Sequence, residues 1–294
     1  MDDILFDCRV RTMRSMIGYF KSKKRLFSAL GITCLLLSVC LMTACSRTSG
    51  TGIILAGSTS VQPYAEILAE EYMILYPGAE IDIQGGGSAA GITAAQSGTA
   101  DIGMSSRALN PEEKSLWFVE IARDGLAVIV NPANPVQNLT LNQMRDIYAA
   151  TSTNWSQFGG STAKINVITR EEGSGTRSAF TELVMGKTEI TPRAIVQDSN
   201  GAVLQLVKDD PNAIGFISLG LVNPAVKALH LEGIAATREN VLNGSYNLTR
   251  PFLFVTSSQP TGTAKQFIDF TLSPEGQTIL NSEGLIPPTE GTTK

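Results

Sequence analysis

The sequence predicts an α/β fold, and three observations carry that expectation. Short apolar runs alternate along the chain with stretches whose apolar residues recur at helical spacing. Several of those runs end in turns rich in Gly, Ser or Thr that lead straight into a helical pattern. The composition is that of a globular protein, with 43% hydrophobic and 17% charged residues among 294 and a net charge of −4. No internal repeat of fixed period interrupts this alternation.

Taken in order, Ile53-Ile54-Leu55-Ala56 reads as a short strand, and Gly57-Ser58-Thr59-Ser60 as a turn able to cap the next segment. Over 61–76, Ile67, Leu68, Tyr72 and Leu75 recur at helical spacing, and Pro77-Gly78 stops the helix. Ile81-Asp82-Ile83 alternates as a strand does, and Gly85-Gly86-Gly87-Ser88 opens a helix of small residues through Ser97. Asp101-Ile102-Gly103-Met104 is the next strand, ending at Ser105-Ser106-Arg107. Leu126-Ala127-Val128-Ile129-Val130 predicts a buried strand. The two prolines of Asn131-Pro132-Ala133-Asn134-Pro135 preclude a helix and predict a connection between two lobes. A helix over 141–149 and a strand over 165–169 come after it, the strand running into Arg170-Glu171-Glu172-Gly173-Ser174-Gly175-Thr176. Helices over 177–185 and 202–208, strands over 213–218 and 228–231, and the strand Phe252-Leu253-Phe254-Val255 come next. Helices over 264–270 and 274–281 complete the pattern.

The N-terminal part reads differently. Seven basic residues precede position 45 against three acidic ones, and no charge occurs from Leu26 to Ala44. A basic stretch, an apolar stretch and a small-residue end predict an export signal rather than a permanent membrane span. Leu41-Met42-Thr43-Ala44-Cys45 resembles the bacterial lipobox, with Met42 where Leu is commonest. That resemblance implies cleavage before Cys45 and lipidation of Cys45, and the Ser, Thr and Gly residues that follow read as a flexible tether over 45–52. Cys8, Cys34 and Cys40 lie within the expected signal, so the mature chain would hold no disulfide.

Several functions are excluded early. From Cys45 onward the chain carries 16 basic and 24 acidic residues, which argues against nucleic acid as a partner. The single histidine, His230, stands in the alternating segment Leu229-His230-Leu231 and reads as a strand residue. A histidine-rich metal site is impossible, and a Ser-His-Asp site would need that one residue. Gly173-Ser174-Gly175-Thr176 lacks the Gly-Lys-Ser/Thr ending of a nucleotide P-loop. The expectation is a protein without enzymatic activity and without cofactor.

Four polar loops carry what chemistry there is: Gly57–Ser60, Gly85–Ser88, Ser105–Arg107 and Arg170–Thr176. In an α/β sheet, loops at the carboxyl ends of strands line the ligand crevice. Glycine lets the backbone approach a ligand, hydroxyls add donors, and helix N-termini offer free N–H groups. Arginine adds full charge and a planar fork of donors. Together these loops would hold an oxyanion.

At this point the chain resembles the phosphate-binding lipoproteins, the substrate-binding components of bacterial ABC phosphate transporters. Arg170–Arg177 is similar to that family's Arg-x-x-Gly-Ser-Gly-Thr loop. Ala56–Pro63, Gly86–Gly91, Asp101–Arg107 and the ending Ser273-Pro274-Glu275-Gly276-Gln277 also match. The resemblance implies an α/β, two-lobed periplasmic-binding-protein-like (type II) fold with two crossover hinges, one lobe from 53–128 plus 249–294 and the other from 129–248. It implies a monomer that binds inorganic phosphate and delivers it to the permease and ATPase subunits of an ABC transporter, held to the membrane through Cys45. Carried over by position, Thr59, Ser60, Ser88, Ser106, Arg107, Arg170, Ser174, Gly175 and Thr176 would contact phosphate, and Glu172 would orient Arg170. Many members place an acidic residue where this chain has Ser106, and that carboxylate rejects sulfate. Binding of molybdate or sulfate therefore stays open, as does a phosphate-sensing role.

Overall fold

The computed structural model describes residues 52–288. The expected signal segment, Cys45 and nearly all of the tether lie outside the described residues.

Eleven strands and eight α-helices alternate in these residues. β1 (Ile53–Gly57), α1 (Gln62–Leu75), β2 (Ile81–Gly85), α2 (Ser88–Ser97) and β3 (Ile102–Ser105) come first. β4 (Trp117–Val130), β5 (Asn138–Leu139), α3 (Leu141–Tyr148), β6 (Asn166–Arg170) and α4 (Gly175–Phe180) are next. Then come β7 (Ile195–Gln197), α5 (Asn200–Asp209), β8 (Ala213–Ser218), β9 (Lys227–Ala228), β10 (His230–Leu231) and α6 (Arg238–Leu242). β11 (Thr249–Thr256), α7 (Gly262–Leu272) and α8 (Pro274–Ser282) complete the set.

Local chemistry sets many helix ends. Pro63 stands in the first turn of α1 and Pro274 in that of α8, where a missing N–H costs nothing. Thr140 and Gln143 form a reciprocal capping box at α3, while Ser174, Ser199, Thr237 and Ser273 cap α4, α5, α6 and α8. The main sheet runs β2-β1-β3-β11-β4-β8-β6-β7, with β9 added beside β4, and β5 pairs with β10 separately. β1 is parallel to β2 and β3, and β6 is parallel to β7 and β8. Between these parallel groups, β11 and β4 run antiparallel to each other and to their outer neighbours.

The hydrophobic residues form separate cores along this sheet. One gathers Leu55, Leu68, Tyr72, Phe254 and Phe267. Another gathers Val128, Tyr148, Phe180 and Phe216, and a third holds Ala127, Ile129, Ile168, Val203 and Val207. β4 shows why the second and third are distinct. Leu126, Val128 and Val130 face one core while Ala127 and Ile129 face the other, as the two-residue period of a strand requires. Ala122 still belongs to the first core, so the chain changes core inside β4. The stretch 131–135, expected to join two lobes, comes after that change rather than making it.

β4 is also longer than expected. Its pattern is broken by Glu120, Arg123 and Asp124, so only Leu126–Val130 reads as apolar in the sequence. The added half exists because β11 pairs with it residue by residue from Trp117 to Gly125, through one register shift at Phe252/Leu253.

Candidate anion-binding site

The loops after β1, β2, β3 and β6 converge on one buried polar cluster. Ser60 Oγ and Thr176 Oγ1 lie 2.9 Å apart, joining the loop after β1 to the loop after β6. Ser58 donates its hydroxyl to Ser106 Oγ at 2.8 Å, and the Ser106 backbone N–H donates to Ser88 Oγ at 3.0 Å. The Ser88 and Ser106 hydroxyls are 3.3 Å apart. Ser174 caps α4 by accepting from the Arg177 N–H at 3.2 Å. The backbone of Ala89 donates to Gly173 O at 3.0 Å, a further tie between the loops after β2 and β6. All these serines, with Thr176, are buried.

Two glycines make the convergence possible. Gly57 has φ +137°, and a Cβ there would lie 2.3 Å from Met104 O. At Gly175 a Cβ would stand 2.3 Å from Ser88 Oγ and 2.6 Å from Ser106 Oγ. Gly175→Ala should therefore lower stability by about 1–3 kcal/mol and weaken anion binding with it, since the displacement falls on Ser88 and Ser106. Thermal unfolding and calorimetric titration of the same variant would measure both.

Arg170 ends β6 with its side chain buried. Its Nε and Nη2 each donate to Glu171 at 2.9 Å, and Nη2 also donates to Asp198 O at 2.9 Å and Thr59 Oγ1 at 3.3 Å. Nη1 is buried with no hydrogen-bond partner among the described residues. The carboxylate that braces Arg170 is thus Glu171, not Glu172 as expected. The Glu171 N–H is tied to Gln197 O at 3.1 Å, which keeps its carboxylate by the guanidinium, while Glu172 is exposed in the turn.

Arg107 also departs from the expectation. Its Nη1 and Nη2 bind Glu113 at 2.7 and 2.8 Å, and Nη1 also donates to Ala108 O at 2.8 Å, so its charge is directed away from the cluster. The Arg107 guanidinium holds the Glu113 carboxyl below its ordinary value, against the opposing effect of partial burial. A depressed carboxyl contributes stability above its unfolded pKa and loses it as pH falls through the folded value. Glu113→Gln should therefore cost about 0.5–1 kcal/mol near neutral pH, a difference that vanishes in acid. Thermal melts of both proteins across pH would show it.

Three residues of the cluster escape the sequence reading. Asn200 donates from Nδ2 to Ser60 Oγ at 2.8 Å, while its Oδ1 accepts from the Ser218 N–H at 3.2 Å. Arg250 donates from Nη2 to Ser60 Oγ at 3.1 Å. The same guanidinium binds Asp124 through Nε at 3.1 Å and Nη2 at 2.9 Å. Asp124 and Arg250 are direct cross-strand partners on β4 and β11. Burial pushes the Asp124 carboxyl up and the Arg250 guanidinium down, each opposed by the other's charge. The sequence signal for this pair was a charge beside an apolar run on each strand, with Asp124 sharing β4 with Glu120 and Arg123 and Arg250 preceding Phe252–Val255.

The cluster is rich in donors. Its hydroxyls, backbone N–H groups and two guanidiniums belong to one hydrogen-bonded network, while Glu171 and Asp124 are each bound to an arginine. The N-termini of α1 and α2 face the same region, where Ser58–Val61 and Gly87–Ser88 enter those helices. Such an arrangement can hold a small oxyanion and offers no nucleophile paired with a base. A surface cavity lined in part by Thr59, Gln62, Asn200 and Leu221 opens beside it.

Comparison with known proteins points the same way. Residues 43–275 match the PBP superfamily domain. The phosphate-binding protein PstS of Bacillus subtilis is 31% identical over 250 residues, spanning 83% of each chain. A protein of Clostridium perfringens, solved with bound phosphate, is 46% identical. It superimposes with a TM-score of 0.79 over 81% of this chain and all of its own. An ABC-type phosphate transport receptor of Vibrio cholerae is 41% identical, with a TM-score of 0.68 over 80% of this chain and all of its own. On these matches the chain belongs to the PBP superfamily, in the family of the PstS phosphate-binding proteins.

Proposed function

We propose that this chain binds inorganic phosphate outside the cytoplasm and delivers it to the permease of an ABC phosphate importer, without covalent chemistry. The observation that carries the reading is the joining of four strand-end loops through buried hydroxyls, with the buried Arg170 guanidinium bound to the first of them at Thr59. Thr59, Ser60, Ser88, Ser106, Arg170, Ser174, Gly175 and Thr176 form the phosphate site, and Arg107 stands aside on Glu113. The core of Leu55 and Phe254 and that of Val128 and Phe216 act as two lobes, the chain passing to the second inside β4, between Ala122 and Leu126, and returning at β11, between Leu248 and Phe252. Hinge motion at those two strands opens the Ser60–Thr176 contact and admits the anion. Lipidated Cys45 and the tether keep the monomer at the membrane beside its transporter.

Calorimetric titration with phosphate, sulfate and molybdate at more than one pH tests the reading. The expected result is tight phosphate binding. Binding of sulfate without phosphate would replace it with the second reading, another oxyanion, which the Ser106 hydroxyl favours because it cannot repel sulfate. Mass spectrometry of the purified protein tests the anchor: an unprocessed N-terminus with unmodified Cys45 would remove it.

A further inference from the structure

We propose that Arg250, braced by Asp124, is a second arginine of this anion site, which acts by forcing the Ser60 hydroxyl to donate. The inference rests on the phosphate reading above and names a charged group that the four loops do not contain.

A hydroxyl has one hydrogen and two lone pairs. At Ser60 Oγ both acceptor positions are filled. Asn200 Nδ2 donates at 2.8 Å and Arg250 Nη2 donates at 3.1 Å. The Asn200 amide cannot be the other way round, because its Oδ1 accepts the Ser218 backbone N–H at 3.2 Å. An arginine has no acceptor, so the Arg250 contact has only one direction as well. The Ser60 hydrogen is therefore free only to be donated, and Thr176 Oγ1 lies 2.9 Å away. With its oxygen accepting from Ser60, Thr176 directs its own hydrogen outward. A chain of donors runs from Arg250 through Ser60 to Thr176, with the polarity an anion requires.

The charges agree with this polarity. Arg250 and Arg170 are both buried, and Nη1 of each has no hydrogen-bond partner among the described residues. Their like charges disfavour each other, and the Arg170 charge adds to burial in lowering the Arg250 value. An anion held between them relieves that repulsion. Asp124 has its side chain 1% exposed and keeps Arg250 charged and directed at Ser60. Because the pair bridges β4 and β11, opening and closing at these strands and the polarity of Ser60 depend on the same two side chains.

The test is a double-mutant cycle on phosphate affinity, comparing the unmodified protein, Ser60→Ala, the Asp124→Asn/Arg250→Met variant, and all three changes together. Removing both charges at once leaves no unpaired buried ion. The charge-free variant should bind phosphate about 10- to 100-fold more weakly. The same charge removal made in the Ser60→Ala background should cost much less, under about threefold, because neighbours acting as one unit are not additive. Losses that multiply, or a charge-free variant with unmodified affinity, would overturn the proposal. Arg250→Lys, with Asp124 intact, covers a charge-free variant that does not fold. A lysine lacks the fork to reach Asp124 and Ser60 together, so affinity should fall severalfold, and unchanged affinity again overturns the proposal. If the unmodified protein titrates with no oxyanion, the function and this inference fall together. If it binds phosphate and the variants do too, this inference alone falls.

Discussion

Arg170→Ala should weaken phosphate binding by about 2–5 kcal/mol, a factor of roughly thirty to several thousand, while the protein stays folded. Arg170 is 1% exposed and sits where the loops after β1, β6 and β7 meet. Two of its nitrogens are taken by Glu171, Asp198, Gln197 and Thr59, and Nη1 remains free for an anion. Truncation removes a full charge from a site where water screens little, and it releases the Glu171 carboxylate beside the ligand. The loss should therefore exceed that of one hydrogen bond. Adding Glu171→Gln to Arg170→Ala should recover part of it by removing that repulsion. Calorimetry measures the affinities and thermal unfolding checks the fold. An unchanged phosphate affinity in Arg170→Ala would mean that the anion binds elsewhere.

Phe216→Ala should lower stability by about 3–5 kcal/mol. For a domain of this size that corresponds to a fall in melting temperature of roughly 10 °C. Phe216 is fully buried in β8 and stacks on Phe180 with centroids 4.1 Å apart and planes 4° from parallel. Tyr148 stands 4.5 Å from Phe180 and 5.6 Å from Phe216. The three rings come from β8, α4 and α3, so the cavity left by truncation cannot close without moving two helices. Those helices include α4, whose first residues are Gly175 and Thr176. Phosphate should therefore still bind Phe216→Ala, more weakly, and raise its melting temperature by mass action. Chemical denaturation and thermal melts with and without phosphate give both numbers.

These predictions draw on two kinds of information. The strands and helices next to the loops were legible because their signals are local. Pro77-Gly78 stops α1, small residues pack α2 against β1 and β3, and a glycine-serine run precedes α4. The hydroxyls of the site were legible for the same reason, since each comes after an apolar run and all but Ser106 precede an α-helix, while the loop of Ser106 leads through the 3-10 turn Pro111–Glu113 into β4. Even so, neighbouring carboxylates could not be told apart from spacing. Glu171 rather than Glu172 braces Arg170 because β7 holds the Glu171 backbone, and β7 is a strand of three residues with half-exposed apolar side chains. Arg107 looked like part of the site because it comes directly after Ser106, yet Glu113 turns it away.

By itself, then, the sequence determined the alternation of strands and helices, the four donor loops and the arginine at the end of β6. These depend on residues within a turn or two of each other, where propensity and capping act. Only the tertiary structure decided which loops touch, which carboxylate serves Arg170, and that Asp124 and Arg250 lie beneath Ser60. Those two residues are 126 positions apart and meet across antiparallel strands. In isolation each is a charge that spoils a strand. Paired and buried, each neutralises what the other would cost, and no local rule can reveal that.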